Sequence, residues 1–365
     1  TEFPIKIVQS MVEQFPEILN MTVSASVTML QIKENLARAL LIELAGFDLS
    51  LFTFVLVHGR LCHGTIKKGG SHEQKRKYLE DTSQARKIAS FCLTEIEIGS
   101  EAHNISTTFE ETKDGYIIEG NKRWIGNSNI ADVLIVFAKE KVKDNNKNYN
   151  MSKHQIGAFI VEPNNPEHNP NGEKVRIYKI ENKGAKRMVQ NCEIFFNKTL
   201  IGKSQRMPYV KSFADVSKFL LASRLNICFG IIGAAIGAYN KALEYTSQRK
   251  QFGKSITSFQ LIQKKLVTIR ANIEAMFALV KRVADICDSE GLQQGKIGMA
   301  KSWCSHLSRD SIALAREIMG GNGILYENKV MDLMLDMEGV ITYEGTYEIN
   351  VLTCGKEITG HSAYY

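Results

Sequence analysis

Glu344 is the residue of this chain whose setting best suits chemistry. It stands in Tyr343-Glu344-Gly345-Thr346, just after a long amphipathic run, at a glycine-flanked turn between two helical stretches. A carboxylate in such a turn can be held away from water and aimed at a substrate, and desolvation raises its pKa toward that of a useful base. A Glu that opens a helix is also an ordinary partner for the helix dipole, so the turn gains its meaning from company. Three other segments supply it: Leu93-Thr94-Glu95 with Gly99-Ser100, Arg123-Trp124-Ile125-Gly126-Asn127-Ser128, and Arg249-Lys250-Gln251-Phe252-Gly253.

Composition narrows the classes. The chain has 365 residues, 44% hydrophobic and 23% charged, enough to bury a large core in two or three domains. Its formal net charge is +7. The basic residues are scattered apart from short clusters such as Lys75-Arg76-Lys77, so solvated helix faces account for them and nucleic-acid binding is not expected. Seven cysteines, at 62, 92, 192, 228, 287, 304 and 354, form no C-x-x-C pair and are odd in number. They read as buried reduced thiols in a reducing compartment. Eight histidines show no H-E-x-x-H spacing, so no metal site is expected. No apolar run reaches the ~18 residues of a membrane span, the nearest being the glycine-broken Ile227 to Ala238. No signal peptide opens the sequence as given.

The elements that must position Glu344 fall into three textures. Residues 1–87 read as helical: Ile32 to Gly46 is apolar at helical spacing, and Ser71 to Leu79 is a charged helix opened by a Ser cap. Residues 88–205 read as β. Short apolar runs at 91–93, 105–109, 116–119, 133–138, 157–161, 175–180 and 192–196, with Asp114-Gly115 as a hairpin signal, predict a small antiparallel barrel or sandwich. Lys139 to His154 and Pro163 to Gly172 are expected to be exposed, mobile loops. Residues 206–365 are helical again. In Ile256 to Asp288, Leu266, Ile269, Ile273, Phe277, Val280, Val283 and Cys287 recur at steps of three and four, and Gly298 to Met319 and Lys329 to Met337 continue, predicting a four-helix bundle. The fold class is therefore α+β: N-terminal helices, a central antiparallel barrel or sandwich, and a C-terminal bundle. Without β-α-β alternation a Rossmann fold is not expected.

This order, carrying those four segments, resembles the acyl-CoA dehydrogenase and acyl-CoA oxidase superfamily from about Phe3 to Ala363. Arg123 to Ser128, Arg187-Met188-Val189-Gln190-Asn191 and Gly320-Gly321-Asn322-Gly323-Ile324 look most like the plant-type short-chain acyl-CoA oxidases and the glutaryl-CoA dehydrogenases. The resemblance implies FAD-dependent oxidation of a short- or medium-chain acyl-CoA to the 2,3-enoyl-CoA. A base takes the α-proton while hydride leaves the β-carbon for flavin N5, and fixed donors polarise the thioester carbonyl. Glu344 matches the family's usual base, with its own N–H as one carbonyl donor, and Gly345 adjoins it. Some relatives carry the base before a helix Arg that corresponds to Arg224; here the preceding residue is Ser223, which leaves Glu344 without a rival. Arg224 is expected to serve the CoA side or a subunit contact.

Cofactor positions carry over in the same way. Phe91, Leu93 and Thr94 match the segment meeting the isoalloxazine edge, and Gly99 and Ser100 the turn beside flavin and pantetheine. Trp124 matches the residue packed on the ring system, the alternative being a core aromatic. Gly126 stands where many members place a Thr. Arg249, Gln251 and Phe252 match the segment reaching a neighbouring subunit's FAD, where a guanidinium suits pyrophosphate; a plain helix-surface Arg is the alternative. Gly321, Thr346 and Glu348 match adenine-side positions, although Gly320 to Gly323 also reads as a helix cap.

The sequence departs from the family at Ile96 (usually Pro, whose loss is expected to loosen the turn), at Glu101, at Lys356, and in a glycine-free stretch from Met21 to Lys33. The resemblance implies a homodimer or homotetramer, with electron-transfer flavoprotein or O₂ as electron acceptor. It leaves dehydrogenase and oxidase both open, with the mitochondrial matrix expected and the peroxisome as alternative. A different class also stays open: a diverged, weakly active or inactive member serving as a structural subunit of a larger complex.

Overall fold

The computed structural model describes residues 5–14, 27–141 and 156–363, side chains of 7, 11, 12 and 27–33 excepted. Of the expected loop Lys139 to His154, residues 142–154 lie outside these, as do Met21 to Ser26 of the glycine-free stretch from Met21 to Lys33. Two compact units divide the chain: Thr1–Asn20, Phe54–Lys183 and Met188–Leu220 form the first, and Met21–Thr53, Gly184–Arg187 and Leu221–Tyr365 the second. These cuts group the N-terminal helices otherwise than the texture boundaries at 87 and 205 do.

Among the described residues, the first unit is built on seven strands: β1 (Ala89–Cys92), β2 (Thr108–Glu111), β3 (Tyr116–Gly126), β4 (Val133–Glu140), β5 (Ile156–Val161), β6 (Val175–Lys179) and β7 (Asn191–Ile201). They pair in the order β1-β4-β2-β3-β7-β6, with β5 on β4. β2–β3, β3–β7, β4–β5 and β6–β7 are antiparallel as expected. The sheet is nevertheless mixed, because β4 runs parallel to both β1 and β2. The long excursion through the β2–β3 hairpin allows β1 and β4 to align, since parallel partners need a lengthy crossover. Gly115 closes that hairpin, where a Cβ would stand 2.0 Å from the Ile201 carbonyl. β4 and β5 are buried along almost their whole lengths, which explains their unbroken apolar runs. β3 and β7 run well past the expected 116–119 and 192–196. Their register shifts between Ile118 and Gly120 and between Lys122 and Ile125, and such bulges erase the period-two signal.

Helices α1 (Ile5–Gln14), α4 (His63–Gly69) and α5 (His72–Ser83) belong to this unit. Ser71 caps α5 with a full capping box: Gln74 N–H donates to Ser71 Oγ, and Ser71 N–H to Gln74 Oε1. A π-helical turn, Leu56–Cys62, precedes α4. Its buried His58 accepts from Ala89 N–H at Nδ1 and therefore donates from Nε2 to Thr82 O; burial lowers its pKa and keeps it neutral. Loop 163–172 is knitted down more than its composition suggests. Asn169 bonds Pro163 O, Val175 O, Lys174 N and Val175 N, and His168 is buried.

The second unit is helical. It contains α2 (Val27–Phe47), α7 (Gln260–Glu290), α8 (Gln294–Ile318), α9 (Val330–Thr342), α10 (Tyr347–Thr359) and most of α6 (Phe213–Gln248); α3 (Leu49–Val55) begins in it. Helix α8 packs against α7, α9 and α10. Leu266, Ile269, Ile273, Val280, Val283 and Cys287 of α7 are buried as expected, whereas Phe277 is 43% exposed and Met276 takes its place. The glycines that interrupt Ile227 to Ala238 let α6 approach its neighbours closely. A Cβ on Gly233 would lie 2.1 Å from Ile42 O, and one on Gly237 2.2 Å from Gly46 O. Two stretches, Leu49–Gly69 and Phe213–Gln248, are long and apolar enough by length and composition to cross a membrane, contrary to the expectation from run length. Their apolar windows are 83% and 61% buried within the protein, as in core helices. All seven cysteines are free, six of them buried.

Candidate active site

Helix α9 ends at Thr342 and α10 starts at Tyr347, with Thr346 as its N-cap, its hydroxyl accepting from Ile349 N–H at 3.3 Å. Between them the backbone turns through two consecutive left-handed residues, Glu344 (φ +56°) and Gly345 (φ +86°). Glycine suits the second, since a Cβ there would lie 2.8 Å from Asn350 Nδ2. Glu344 has no such freedom, and a left-handed non-glycine costs about 1–2 kcal/mol. The surroundings impose it. Lys301 Nζ donates to Ile341 O (3.1 Å) and Gly345 O (2.6 Å), and Asn350 Nδ2 to Gly345 O (2.8 Å) and Thr346 O (2.9 Å). The Tyr343 hydroxyl lies 3.2 Å from that of Thr53.

The result is a carboxylate without a home. Among the described residues, the buried Glu344 Oε2 accepts no hydrogen bond. Burial raises its pKa above the ordinary carboxylate value, against the opposing pull of Arg224, Ser223 and Lys301. The Ser223 hydroxyl is near enough to temper the shift yet outside bonding geometry, so it too is buried unpartnered. Arg224 is half-buried and its Nε also lacks a partner. An unsatisfied, partly desolvated acceptor that can take a proton is poor for stability and good for general-base catalysis. Glu344, Gly345, Thr346 and Arg224 thus lie together, joined by Ser223, Lys301 and Asn350.

In the first unit, Phe91 ends up in the core against Phe137, ring centroids 4.6 Å apart, and Leu93 is buried. Leu93 and Thr94 follow the end of β1, and Thr94 O accepts from Arg123 N–H (2.8 Å), which brings the Thr94 and Trp124 segments side by side. Glu95 is the pin. It is 2% exposed, accepts from Lys122 Nζ (2.8 Å), Thr107 N (2.9 Å) and the N–H and hydroxyl of Ser106, and is held down to about 2 by Lys122 and these donors despite its burial. Lys122 Nζ also donates to Leu93 O. The turn is not loosened by the absence of proline, because Ile96 N–H donates to Asn121 Oδ1 (3.2 Å), a bond a proline could not make.

Trp124 is no core aromatic. It is 50% exposed in a left-handed conformation (φ +62°), with the Arg123 guanidinium 5.2 Å from its ring centre and its carbonyl held by Asn191 Nδ2. Gly126 is half-buried, and a Cβ on it would meet Val189 at 3.3 Å. Gly99 and Ser100 are exposed.

The remaining expected residues are exposed. Arg249, Gln251 and Phe252 lie on an exposed hairpin of β8 (Lys250–Gln251) and β9 (Lys254–Ser255), with Phe252 93% exposed at φ +52°. Gly321 lies on the exposed 3-10 turn after α8, and Glu348 is exposed on the first turn of α10. The sequence reading missed Lys301, Asn350, and the buried pair Lys122–Glu95. Lys301 had a signal: it occupies a core position of α8, in step with Ile297, Cys304 and Ser308.

Comparison with known proteins identifies the family. Family models of the acyl-CoA dehydrogenase middle domain and C-terminal domain match residues 90–199 and 213–359. A probable short/branched chain specific acyl-CoA dehydrogenase of Dictyostelium discoideum is 30% identical over 318 residues, 87% of this chain and 73% of that protein. The caffeyl-CoA reductase-Etf complex subunit CarC of Acetobacterium woodii is 30% identical over 290 residues, 79% of this chain and 73% of that one. Among solved structures, a glutaryl-CoA dehydrogenase from Mycobacterium smegmatis in complex with FADH2 superposes with a TM-score of 0.88 at 26% identity, covering 100% of this chain and 89% of that one. Sequence relatives, domain matches and architecture point one way: the chain belongs to the acyl-CoA dehydrogenase family, a family of oxidoreductases.

Proposed function

We propose that the protein is an FAD-dependent enzyme that removes hydrogens from the α- and β-carbons of a short- or medium-chain acyl-CoA. One observation carries the reading: a half-buried carboxylate with an unpartnered oxygen and a raised pKa, on a turn that four hydrogen bonds from Lys301 and Asn350 and a helix cap hold in an otherwise unfavourable conformation. Glu344 takes the α-proton, and its backbone N–H polarises the thioester carbonyl. The chemistry FAD supplies when bound is acceptance of the β-hydride. The half-exposed Trp124 face, the Thr94 hydroxyl and the Gly99-Ser100 turn would hold the isoalloxazine. Arg249, Gln251, Phe252, Gly321, Thr346 and Glu348 would serve the rest of the cofactor. An aromatic ring 93% exposed on a hairpin tip, Phe252, suits contribution to a second copy's site, hence a homodimer or homotetramer.

An electron-transfer flavoprotein is favoured as acceptor over O₂ because one relative is named as a subunit of an Etf complex. The mitochondrial matrix is the expected setting, and the peroxisome the alternative. The same relative's name keeps a second reading in play, a subunit valued for assembly rather than turnover. The deciding experiment is anaerobic mixing of purified protein with butyryl-CoA. Bleaching of a yellow flavin absorbance, lost in Glu344→Gln with flavin retained, supports the enzyme; a colourless protein, or undiminished bleaching in the variant, refutes it.

A further inference from the structure

We propose that Lys301 is a positioning residue for Glu344: its buried ammonium fixes the left-handed turn and keeps the carboxylate ionised, so that proton abstraction depends on the Lys301 charge. The proposal rests on the reading of Glu344 as the base.

Lysine is among the costliest side chains to bury, and Lys301 is 0% exposed. Among the described residues its hydrogen-bond partners are two carbonyls, Ile341 O and Gly345 O. They lie on either side of the Glu344 turn, one at the end of α9 and one just before α10. Two of its three N–H donors are thereby used on the backbone that aims the base. Four charged or titratable groups face it. Arg224 and Cys228 come from α6, and Glu344 and Glu348 from the turn and α10. Burial pushes the Cys228 thiol up to about 12, so it brings no negative charge. Arg224 repels the ammonium, and Glu348 is exposed to water. The balancing charge inside the unit is the Glu344 carboxylate.

The interaction is mutual. Lys301 pulls the Glu344 pKa down against burial, and Glu344 pulls that of Lys301 up against burial. Burial prevails at Lys301, lowering it to about 8. A plain helix-capping role would need only the carbonyl contacts, and Asn350 already holds Gly345 O. The charge is the component that reaches the base.

The test uses holoenzyme and butyryl-CoA. Lys301→Met removes charge and donors at similar length. Flavin content is expected to stay, the flavin-reduction rate at pH 7 to fall tenfold or more, and the acid limb of that rate to move up by about one pH unit, as loss of a nearby cation requires. An unmoved acid limb overturns the proposal. Should the variant not fold, carbon NMR of ¹³Cε-lysine decides without turnover. Neutralising Glu344 by Glu344→Gln must lower the Lys301 titration midpoint, because coupling between two sites is reciprocal. An inactive Glu344→Gln with an unmoved Lys301 midpoint overturns this proposal alone. A Glu344→Gln that still reduces flavin overturns the base reading and this proposal with it.

Discussion

The Ser223 hydroxyl faces the Glu344 carboxylate, yet no hydrogen bond joins them, and among the described residues Ser223 Oγ and Glu344 Oε2 are both buried without a partner. Each group is fixed by its backbone: Ser223 by α6, Glu344 by a turn clamped from Lys301 and Asn350. The gap leaves the carboxylate oxygen open to a proton from elsewhere. It also means that position 223 looks onto the Glu344 carboxylate.

Glu344→Gln is expected to lower flavin reduction by several orders of magnitude, read by anaerobic stopped-flow, and to leave folding unharmed. The sign follows from burial. The folded pKa of Glu344 lies above its unfolded value, so the folded state holds the proton more firmly, and stability falls as pH rises through that interval. Glutamine removes the penalty. At pH 8 the variant's Tm should equal or exceed that of the parent; a clear fall in Tm would show the carboxylate to be structural.

Much of this was legible beforehand, for identifiable reasons. Helix α5 announces itself through Ser71 and Gln74, because a capping box is local in sequence. Strands β4 and β5 are continuous apolar runs. The second half of β3 was not legible: its bulges break the alternation, and it carries Lys122, a charge inside the sheet, whose partner Glu95 is distant in sequence. Trp124 was readable as a motif, but its exposure depends on a left-handed backbone that only the fold reveals. Phe277 and Met276 exchanged places because adjacent apolar residues on a helix leave the facing one undecided by a step of about 100°.

Lys301 should leave a signature in the pH dependence of stability. Its folded value, about 8, lies below the ordinary 10.5. Between the two the unfolded chain holds the extra proton, so stability rises with pH across that window, and the full penalty applies below it. The interval corresponds to about 3 kcal/mol. Urea unfolding of parent and Lys301→Met at pH 7.5 and 9.5 should show the parent gaining on the variant at the higher pH. A constant difference would mean that the buried lysine keeps its proton across this range, as the unfolded chain does.

Lys122→Met should destabilise the first unit by about 3–5 kcal/mol, since it strands a buried carboxylate. Burial holds Lys122 below the ordinary lysine range even with Glu95 beside it, so the pair itself is costly to bury, and Lys122→Met with Glu95→Gln should recover part of the loss. Glu95, at about 2, adds stability that is present above its unfolded pKa and lost as pH falls toward 2. The single variant lacks most of that contribution, so the stability gap between parent and variant should narrow as pH falls toward 2, read by urea unfolding followed by tryptophan fluorescence or circular dichroism.

Arg249→Ala should weaken flavin retention more than acyl-CoA binding. Arg249 is exposed beside the β8–β9 hairpin, so its loss costs the fold little, while a charged, paired donor for pyrophosphate disappears. Flavin occupancy after extended dialysis, measured against KM for butyryl-CoA, separates the two. Undiminished occupancy would assign the hairpin to subunit contact alone.

Two glycine substitutions of the same kind should act in opposite directions. Gly64 lies in α4 with nothing within 4 Å of where a Cβ would stand, whereas at Gly233 the Cβ would come within 2.1 Å of Ile42 O and 3.0 Å of Ala45 Cβ. Gly64→Ala gains helix propensity and should stabilise by about 0.5–1 kcal/mol. Gly233→Ala forces α6 and α2 apart, because backbone cannot rotate away as a flexible side chain can, and should cost about 1–3 kcal/mol or more. Thermal unfolding of both, with flavin bound, measures the contrast. A neutral Gly233→Ala would mean that α2 has slack at this contact, and the close approach would then not be what demands glycine on that face of α6.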